Sequence, residues 1–575
     1  MRPRHLRRGA LLGVAGTLAA LGLSACGSSE APEAADSGEA SNEAEAQCQD
    51  LVEAAEDAPD SGADTFIFAA SADPTTLNPF FVSDGESFRP ARQMFEGLVA
   101  VEPCSPEPAP GLATEWETAE DGMSTTFTLR EGVTFHDGTP FNAEAVCANF
   151  EWWNNQPEGP SQSASNAYYW LSLFKGFADS ETSSIYESCE TNGDTEATVT
   201  LNQPFAGFVP AMSLTSFAMQ SPTALEKDAK VAPGGNPLTT PYAEGGPVGT
   251  GPYQFESWNR GQEVRLTAYE DYWGEPAKTP EVVIPTIADP GARRDALLAG
   301  EIDGYDLAAP GDLQQLEEEG MELVNRPPFN ILYLGINQSP KSGAPLDDLK
   351  VRQAIAHAID KEAVVAQTLP EGSAIADQFV PDSINGYSED VTTYEYDPDK
   401  AEALLKEAGA EDLTLEFNYP TDVSRPYMPS PVDTMNVIST QLEDVGITVK
   451  PVGDQWDPDY LDLIQGTNDH DIHLLGWTGD YNDTDNFLGV FFGARTDEWG
   501  FDNKAIFSAL TEARGIPTVE EQQPLYEDIN EQVMEFLPGV PIASPVPTLA
   551  FSPDVEGFVP SPVQDEPWNN VVVAE

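Results

Sequence analysis

The fold is indicated most clearly by the stretch Phe127-Thr128-Leu129-Arg130-Glu131-Gly132-Val133-Thr134-Phe135-His136-Asp137-Gly138-Thr139-Pro140-Phe141. Its first residues continue an alternation of polar and apolar residues that begins at Thr125, which is typical of a half-buried strand. Asp137-Gly138 is a tight-turn dipeptide, and Asn142 is a favourable N-cap for a helix over residues 143–153. The stretch therefore predicts a strand, a turn and a helix in direct succession.

The composition limits the class of protein. The 575 residues include 27 Lys and Arg against 97 Asp and Glu, a formal charge of −70 at pH 7. Phosphate backbones and anionic lipid head groups repel so negative a surface. Hydrophobic residues make up 40% of the chain and aromatic residues 9%, which is too much for a disordered acidic chain. We expect a large, folded, acidic protein that binds no nucleic acid.

The amino terminus has the pattern of an export signal. A basic segment at residues 2–8 precedes the apolar run 10–23, which is shorter than the roughly 20 residues of a membrane span. The run ends in Leu23-Ser24-Ala25-Cys26-Gly27, which resembles the lipobox of bacterial lipoproteins. We predict a signal peptide over residues 1–25, lipidation at Cys26 and a location on the extracellular face of the cell membrane. The alternative is an anchor helix with an incidental cysteine.

The segment after Cys26 is acidic and small-residue-rich, and residues 27–63 contain no Lys or Arg. Such a composition predicts a disordered acidic tether over residues 26–63, with a short helix around residues 49–56 as the alternative.

Four further cysteines are Cys48, Cys104, Cys147 and Cys189. An even number in an exported protein favours two disulfides, and four cysteines allow three connectivities. We favour Cys147–Cys189 and Cys48–Cys104, because each pair links neighbouring stretches of what should be one lobe. No CxxC spacing indicates a zinc or redox site.

Further motifs follow the opening stretch in a fixed order, and together they resemble the family 5 extracellular solute-binding proteins, the peptide- and nickel-binding components of ABC importers. The matching segments are Leu112–Glu117, Asp121-Gly122, Phe127–Phe141, Gly249–Tyr253, Asp271–Trp273, Tyr333–Asn337, Val351–Ile355, Ala358–Asp360, Tyr396–Pro398 and Ala401–Gly409. The resemblance runs from about residue 65 to the end of the chain.

The resemblance implies an α/β, periplasmic-binding-protein-like fold with two lobes, a hinge and a third, smaller subdomain. Lobe I would be discontinuous, built from residues 64–95, 222–330 and 546–575. The extra subdomain, residues 96–221, would pack on lobe I, and residues 331–545 would form lobe II.

The resemblance also implies the binding residues. In the segment Leu475–Phe487, Asp480 falls on the position that binds the peptide amino group in dipeptide- and oligopeptide-binding members, and Trp477 falls on a residue that lines the side-chain pocket. Arg425 matches an arginine that pairs with the ligand carboxylate, and Trp456 matches a second pocket tryptophan. The alternative for Arg425 is an ion pair with one of the many surrounding acids.

The implied function is the membrane-tethered, ligand-capturing component of an ABC importer. A monomer without cofactor or enzymatic activity would take short peptides into the interlobe cleft and deliver them to a permease with its cytoplasmic ATPase, while only the lipid anchor contacts the membrane. The alternatives are a nickel, metal-chelate or other small-solute binder, a secreted peptide hydrolase and a peptide sensor without transport.

The histidines do not favour the metal alternative. His470 and His473 lead into a predicted strand, on which residues three apart point to opposite faces. His136 lies in the predicted turn, and we expect it to be structural. Arg352 and His357 are expected on the polar side of a helix over residues 351–359.

Overall fold

The computed structural model describes residues 37–59 and 62–574. The predicted signal peptide, residues 1–25, and the predicted lipidation site, Cys26, lie outside the described residues. The described part mixes helices and strands in several sheets, and the predicted α/β class is confirmed.

The described part of the chain contains 21 strands. In chain order they are Thr65–Ala69 (β1), Val99–Val101 (β2), Pro108–Pro110 (β3), Ala113–Thr118 (β4), Ser124–Leu129 (β5), Tyr186–Thr191 (β6), Glu196–Leu201 (β7), Tyr253–Asn259 (β8), Glu263–Ala268 (β9), Glu281–Pro285 (β10), Gly304–Tyr305 (β11), Glu322–Asn325 (β12), Asn330–Ile336 (β13), Ala374–Ile375 (β14), Thr414–Pro420 (β15), Thr448–Asp454 (β16), Ile472–Thr478 (β17), Gly539–Ser544 (β18), Thr548–Phe551 (β19), Val555–Glu556 (β20) and Val572–Val573 (β21).

The α-helices of the same residues follow in chain order. They are Ser37–Asp57 (α1), Gly85–Met94 (α2), Ala143–Asn154 (α3), Tyr168–Phe174 (α4), Phe208–Ala211 (α5), Pro222–Asp228 (α6), Pro241–Gly245 (α7), Pro290–Leu298 (α8), Leu313–Glu318 (α9), Leu349–Ala358 (α10), Lys361–Thr368 (α11), Pro398–Ala408 (α12), Pro431–Asp444 (α13), Leu461–Gly466 (α14), Leu488–Phe492 (α15), Lys504–Arg514 (α16) and Val519–Phe536 (α17).

A seven-stranded sheet has the order β12-β19-β11-β1-β10-β9-β8. Strand β1 runs parallel to β10 and β11, and the remaining neighbours are antiparallel. Phe66 and Phe68 of β1 are fully buried, and both rings contact the indole of Trp568, at 5.4 and 5.1 Å between centroids. Trp568, near the end of the chain, therefore packs on one face of β1, which lies near the beginning of the chain.

A six-stranded sheet has the order β14-β18-β13-β17-β15-β16. All seven residues of β13 are buried, as expected for a central strand that is covered on both faces. Strand β17 pairs with β13 along its whole length, from Ile472 opposite Ile336 to Thr478 opposite Asn330. This pairing fixes the position at which the chain leaves β17.

The predicted strand, turn and helix lie at an antiparallel four-stranded sheet of order β4-β5-β7-β6 and are confirmed. Gly138 has a φ of 79° in the turn, a conformation that costs glycine little. The side chain of Asn142 accepts a hydrogen bond from the Ala145 N–H and caps α3.

Both predicted disulfides are present, Cys48–Cys104 and Cys147–Cys189. The prediction of a disordered segment over residues 26–63 is wrong for residues 37–57, which form α1. Cys48 is fully buried, and Gln47 donates to the Leu323 carbonyl (3.4 Å) and accepts from the Asn325 N–H (3.2 Å). Docking by a disulfide and by backbone partners in β12 makes α1 part of the folded body.

Helix α10 also differs from the prediction. Arg352 and His357 are buried rather than on a solvated face. The Arg352 guanidinium donates to the carbonyls of Leu346, Phe536 and Leu537 at 2.8 to 2.9 Å. The Arg352 side chain therefore satisfies carbonyl groups just before α10 and at the end of α17. Helical spacing does not reveal this role.

The chain passes between the two large sheets at residues 326–329 and 545–547, and Arg326 fixes this crossing. Its guanidinium contacts Glu566 (2.6 and 2.8 Å) and Asp306 (2.6 Å), which also accepts from Arg89 (2.9 Å). Burial opposes ionisation of Asp306, but the two guanidinium groups hold the pKa of its carboxyl well below the usual range. The buried charges are thus compensated.

We expect loss of the Cys147–Cys189 disulfide to destabilise the protein. The bridge closes a loop with a sequence separation of 42, and a loop of this size contributes about 4 kcal/mol in the chain-entropy description. Replacing both cysteines with alanine should lower the free energy of unfolding by about this amount in a denaturant titration. A reducing agent breaks both disulfides and should therefore destabilise the wild type more than the double substitution does. An unchanged transition in the double variant would contradict the assignment.

Candidate ligand-binding site

The loop that follows β17 is held tightly on both sides. Tyr481 is buried within the apolar cluster around the four-stranded sheet. The carboxylate of Asp483 lies directly over Gly207, where a Cβ atom would clash with it. A 3-10 turn over Thr484–Asn486, capped by Asp483, then brings the chain back toward Asp480. Two segments far apart in sequence therefore meet at this loop.

Asp480 lies at the centre of this contact. Its Oδ1 accepts a hydrogen bond from the hydroxyl of Tyr169 in α4 (2.8 Å), and its Oδ2 accepts from Nδ2 of Asn486 (3.2 Å). The Asp480 N–H donates to Oδ1 of Asn486 (2.8 Å). The carboxylate is half-buried and has a neutral donor on each oxygen.

The electrostatics of Asp480 are those of a carboxylate without a cation. Burial raises its pKa to about 6, although the hydrogen bonds from Tyr169 and Asn486 and the charge of Arg92 oppose the shift. In the described part of the chain, no basic side chain forms an ion pair with Asp480. A cationic group entering here would stabilise the ionised form.

Trp477 is the next-to-last residue of β17 and pairs with Ile331 of β13. Its indole N–H donates to Oδ1 of Asn486 (3.4 Å), and its ring meets the ring of Phe491 edge-on, at 6.4 Å between centroids. The half-buried indole and the Asp480 carboxylate are therefore held by the same amide.

Arg425 lies in the connection between β15 and α13. It exchanges two backbone hydrogen bonds with Met428 (3.1 and 2.9 Å), and its guanidinium lies 4.4 Å from the centre of the Trp456 ring. Among the described residues, no carboxylate forms an ion pair with Arg425, and its buried Nε has no hydrogen-bond partner. The guanidinium thus retains unused donors.

Trp456 begins a π-helical turn that ends at Tyr460. Its backbone N–H donates to the Asp422 carboxylate (2.8 Å), and its ring stacks on the Tyr460 ring, at 5.9 Å between centroids. Tyr427, two residues after Arg425, packs so closely against Gly476 that a Cβ atom there would lie 2.3 Å from its ring. This contact joins the Arg425–Trp456 pair to the strand that carries Trp477.

Tyr169 and Asn486 are absent from the predicted site. Asn486 lies within Leu475–Phe487, the segment that carried the resemblance. Its position six residues after Asp480 is the signal that could have identified it. Tyr169 lies outside the matched motifs, so no local pattern reveals that it reaches Asp480. A cavity of about 360 Å³ nearby is lined by Lys175, Gln203, Asp485 and Arg514 among others, and by none of the four predicted binding residues.

The histidine pair differs from the prediction. The His470 and His473 rings lie 5.1 Å apart, because β17 begins only at Ile472 and strand alternation does not reach His470. His470 Nε2 contacts the Glu498 carbonyl (3.1 Å), and burial lowers the pKa of His470 to about 3. Within residues 37–59 and 62–574, no group of three or more His, Cys, Asp or Glu side chains is arranged to hold a metal ion.

Comparisons with known proteins agree with this architecture. Residues 107–499 match the family described as bacterial extracellular solute-binding proteins, family 5 Middle. The dipeptide-binding protein of Escherichia coli is 28% identical over 527 residues, which cover 89% of this chain and 95% of that protein. Heme-binding protein A of Haemophilus influenzae is 29% identical over 518 residues, covering 88% and 92% respectively.

Solved structures show the same relationship. The periplasmic binding protein DppA of Helicobacter pylori in complex with the peptide STSA superposes with a TM-score of 0.74 at 26% identity, over 90% of this chain and 99% of that one. The dipeptide-binding protein of a Pseudoalteromonas species in complex with Met-Leu gives a TM-score of 0.74 at 26% identity, over 88% and 100%.

The family match and the relatives define a substrate-binding transport protein rather than an enzyme. The chain belongs to the family 5 bacterial extracellular solute-binding proteins. Among the helices of its described residues, none is long and apolar enough to cross a membrane.

The raised pKa of Asp480 predicts a pH-dependent cost of folding. Because the folded-state value of about 6 lies above the ordinary 3.8, the folded protein retains this proton longer than the unfolded chain. The ionised group therefore lowers stability above pH 6, and the penalty disappears as the pH falls toward 3.8. Asp480→Asn should raise the thermal unfolding midpoint of the ligand-free protein at pH 8, and the gain should shrink at pH 4.5. An equal gain at both pH values would contradict the shift.

Proposed function

We propose that this protein is the ligand-capturing component of an ABC importer and that it binds short peptides between two lobes. The observation that carries the proposal is a pair of opposite charges, the Asp480 carboxylate and the Arg425 guanidinium, neither of which forms an ion pair among the described residues. The charges of Arg92 and Asp84 act on them only from beyond ion-pair distance. A zwitterionic ligand with a free amine and a free carboxylate would satisfy both groups.

Asp480 is the proposed partner of the peptide ammonium group. A buried ammonium needs a fixed anion, because the loss of hydration is very costly otherwise. One donor occupies each carboxylate oxygen, and a carboxylate has about four lone-pair sites. Room therefore remains for charge-assisted hydrogen bonds from the ligand.

Arg425 is the proposed partner of the peptide carboxylate. A guanidinium offers parallel donors that match a carboxylate, and that of Arg425 lies over the Trp456 ring. Trp456 and Trp477 are half-buried and pack against the apolar core around the six-stranded sheet. They are the proposed walls for ligand side chains.

For the lobes we propose the boundaries predicted from the sequence. Lobe I comprises residues 64–95, 222–330 and 546–575, the extra subdomain residues 96–221, and lobe II residues 331–545. The Tyr169–Asp480 hydrogen bond would then cross the cleft, which supports a closed arrangement. Hinge bending about the two chain crossings would open it.

Peptides are favoured over other solutes by the relatives. The Helicobacter pylori and Pseudoalteromonas proteins are peptide complexes, and the Escherichia coli relative is a dipeptide-binding protein. Delivery to a permease, a monomeric state and a lipid anchor at Cys26 that holds the protein on the outer face of the membrane complete the proposal.

Calorimetric titration with a dipeptide tests the amine contact. Asp480→Asn should weaken binding at pH 7.5 by at least about thirtyfold, because truncating one partner of a buried charge pair costs 2–5 kcal/mol or more. The matched control is the N-acetylated dipeptide, which lacks the ammonium and should bind weakly and equally to both proteins. An unchanged affinity for the free dipeptide would exclude Asp480 as the amine partner.

The carboxylate contact is tested separately. Arg425→Gln should weaken binding of the free dipeptide by about tenfold or more and should leave binding of the C-amidated dipeptide unchanged. If the variant lost affinity for the free and amidated ligands to the same extent, Arg425 would be acting through packing on Trp456 rather than through its charge.

A further inference from the structure

We propose that Asn486 is a positioning residue of this site: its single amide fixes the Asp480 carboxylate and the Trp477 indole in one arrangement that admits a ligand ammonium. The identity of the ligand rests on the proposed function, whereas the hydrogen bonds of Asn486 to Asp480 and Trp477 do not.

The geometry consists of three hydrogen bonds on one side chain. Oδ1 of Asn486 accepts from the Asp480 N–H (2.8 Å) and from the Trp477 indole N–H (3.4 Å), and Nδ2 donates to Oδ2 of Asp480 (3.2 Å). The amide therefore binds both the backbone and the carboxylate of Asp480. The carboxylate cannot rotate without breaking the bond to Nδ2.

The position of Asn486 itself is fixed. It is 4% exposed and ends the 3-10 turn, in which its N–H donates to the Asp483 carbonyl (2.9 Å) and the Asp485 N–H donates to the Asp483 carboxylate (2.8 Å). The buried 3-10 turn therefore determines where Asp480 lies, because it fixes the Asn486 amide that binds Asp480.

The chemistry requires an amide. The site needs two acceptor contacts and one donor, all without net charge, and an amide of this length supplies them together. An aspartate would keep the acceptors but would face Asp480 with a like charge. An alanine would leave the buried N–H groups without their partner, which is unfavourable.

The groups that face Asp480 are Tyr169 and Tyr168 of α4, Arg92 of α2, Asn486 and the neighbouring Tyr481. Burial raises the pKa of Asp480, and the donors Tyr169 and Asn486 together with Arg92 oppose this. Because Asn486 stabilises the ionised carboxylate, its loss should raise the pH below which the site no longer binds an amine.

The test compares Asn486→Asp and Asn486→Ala with the wild type in dipeptide titrations from pH 5 to 8.5. We expect Asn486→Asp to move the midpoint of the affinity loss upward by about one pH unit, which weakens binding about twofold at pH 7 and about tenfold at pH 5. Asn486→Ala should show a smaller shift of the same sign. The control Asn482→Asp places a new carboxylate on the same loop, at a side chain whose Oδ1 has no hydrogen-bond partner, and should shift the midpoint less.

Two results would overturn the inference. One is an unmoved pH midpoint in Asn486→Asp and Asn486→Ala, which would make Asn486 a packing residue only. The other is an equal shift in Asn482→Asp, which would make the effect one of added charge.

Failure of the proposed function is recognised separately, because the wild type would then bind no dipeptide at any pH. In that case, the stability gain from Asp480→Asn is measured against pH in the Asn486→Asp background. A gain that keeps growing to a higher pH and levels off at a larger value than in the wild type would support the positioning role, and an unchanged profile would overturn it.

Discussion

A half-buried carboxylate that forms no ion pair among the described residues is the constraint on which the candidate site depends. Asp480 has only neutral hydrogen-bond donors on its two oxygens, and burial raises its pKa to about 6. The surrounding structure must hold this group in place, and the loop after β17 does so through a buried tyrosine, a capped turn and the Asn486 amide. Under the proposed function, a cationic ligand would offset the cost of this arrangement.

The buried charges elsewhere in the protein follow a different rule. At the crossing between the large sheets, Arg326, Asp306, Glu566 and Arg89 satisfy one another, and the carboxyl of Asp306 stays ionised. Ion-paired charges fix the frame, whereas Asp480 and Arg425, which form no ion pair among the described residues, are the groups proposed to meet a ligand. In a chain with a formal charge of −70, a guanidinium that forms no ion pair with any described carboxylate is a more informative feature than any of the acids.

Local patterns predicted local structure well. The alternation at β5, the turn at Gly138 and the cap at Asn142 depend on a few neighbouring residues, and both disulfide pairs follow from cysteines in adjacent stretches. The predictions that concern long-range packing were poorer. Composition indicated disorder for residues that form α1, because it does not record a disulfide and a backbone partner in β12, and helical spacing placed the buried Arg352 on a solvated face.

The same limit applies to the candidate site. The resemblance named Asp480, Trp477, Arg425 and Trp456, but the contact from Tyr169 is made across 311 positions of sequence and has no local signature. The docking of α1 has a mechanical consequence. Cys48 is bonded to Cys104, so a pull on the amino-terminal segment can peel the helix only as far as that bridge. Further force is then transmitted through the disulfide to Cys104 and to the folded part of the chain that contains it.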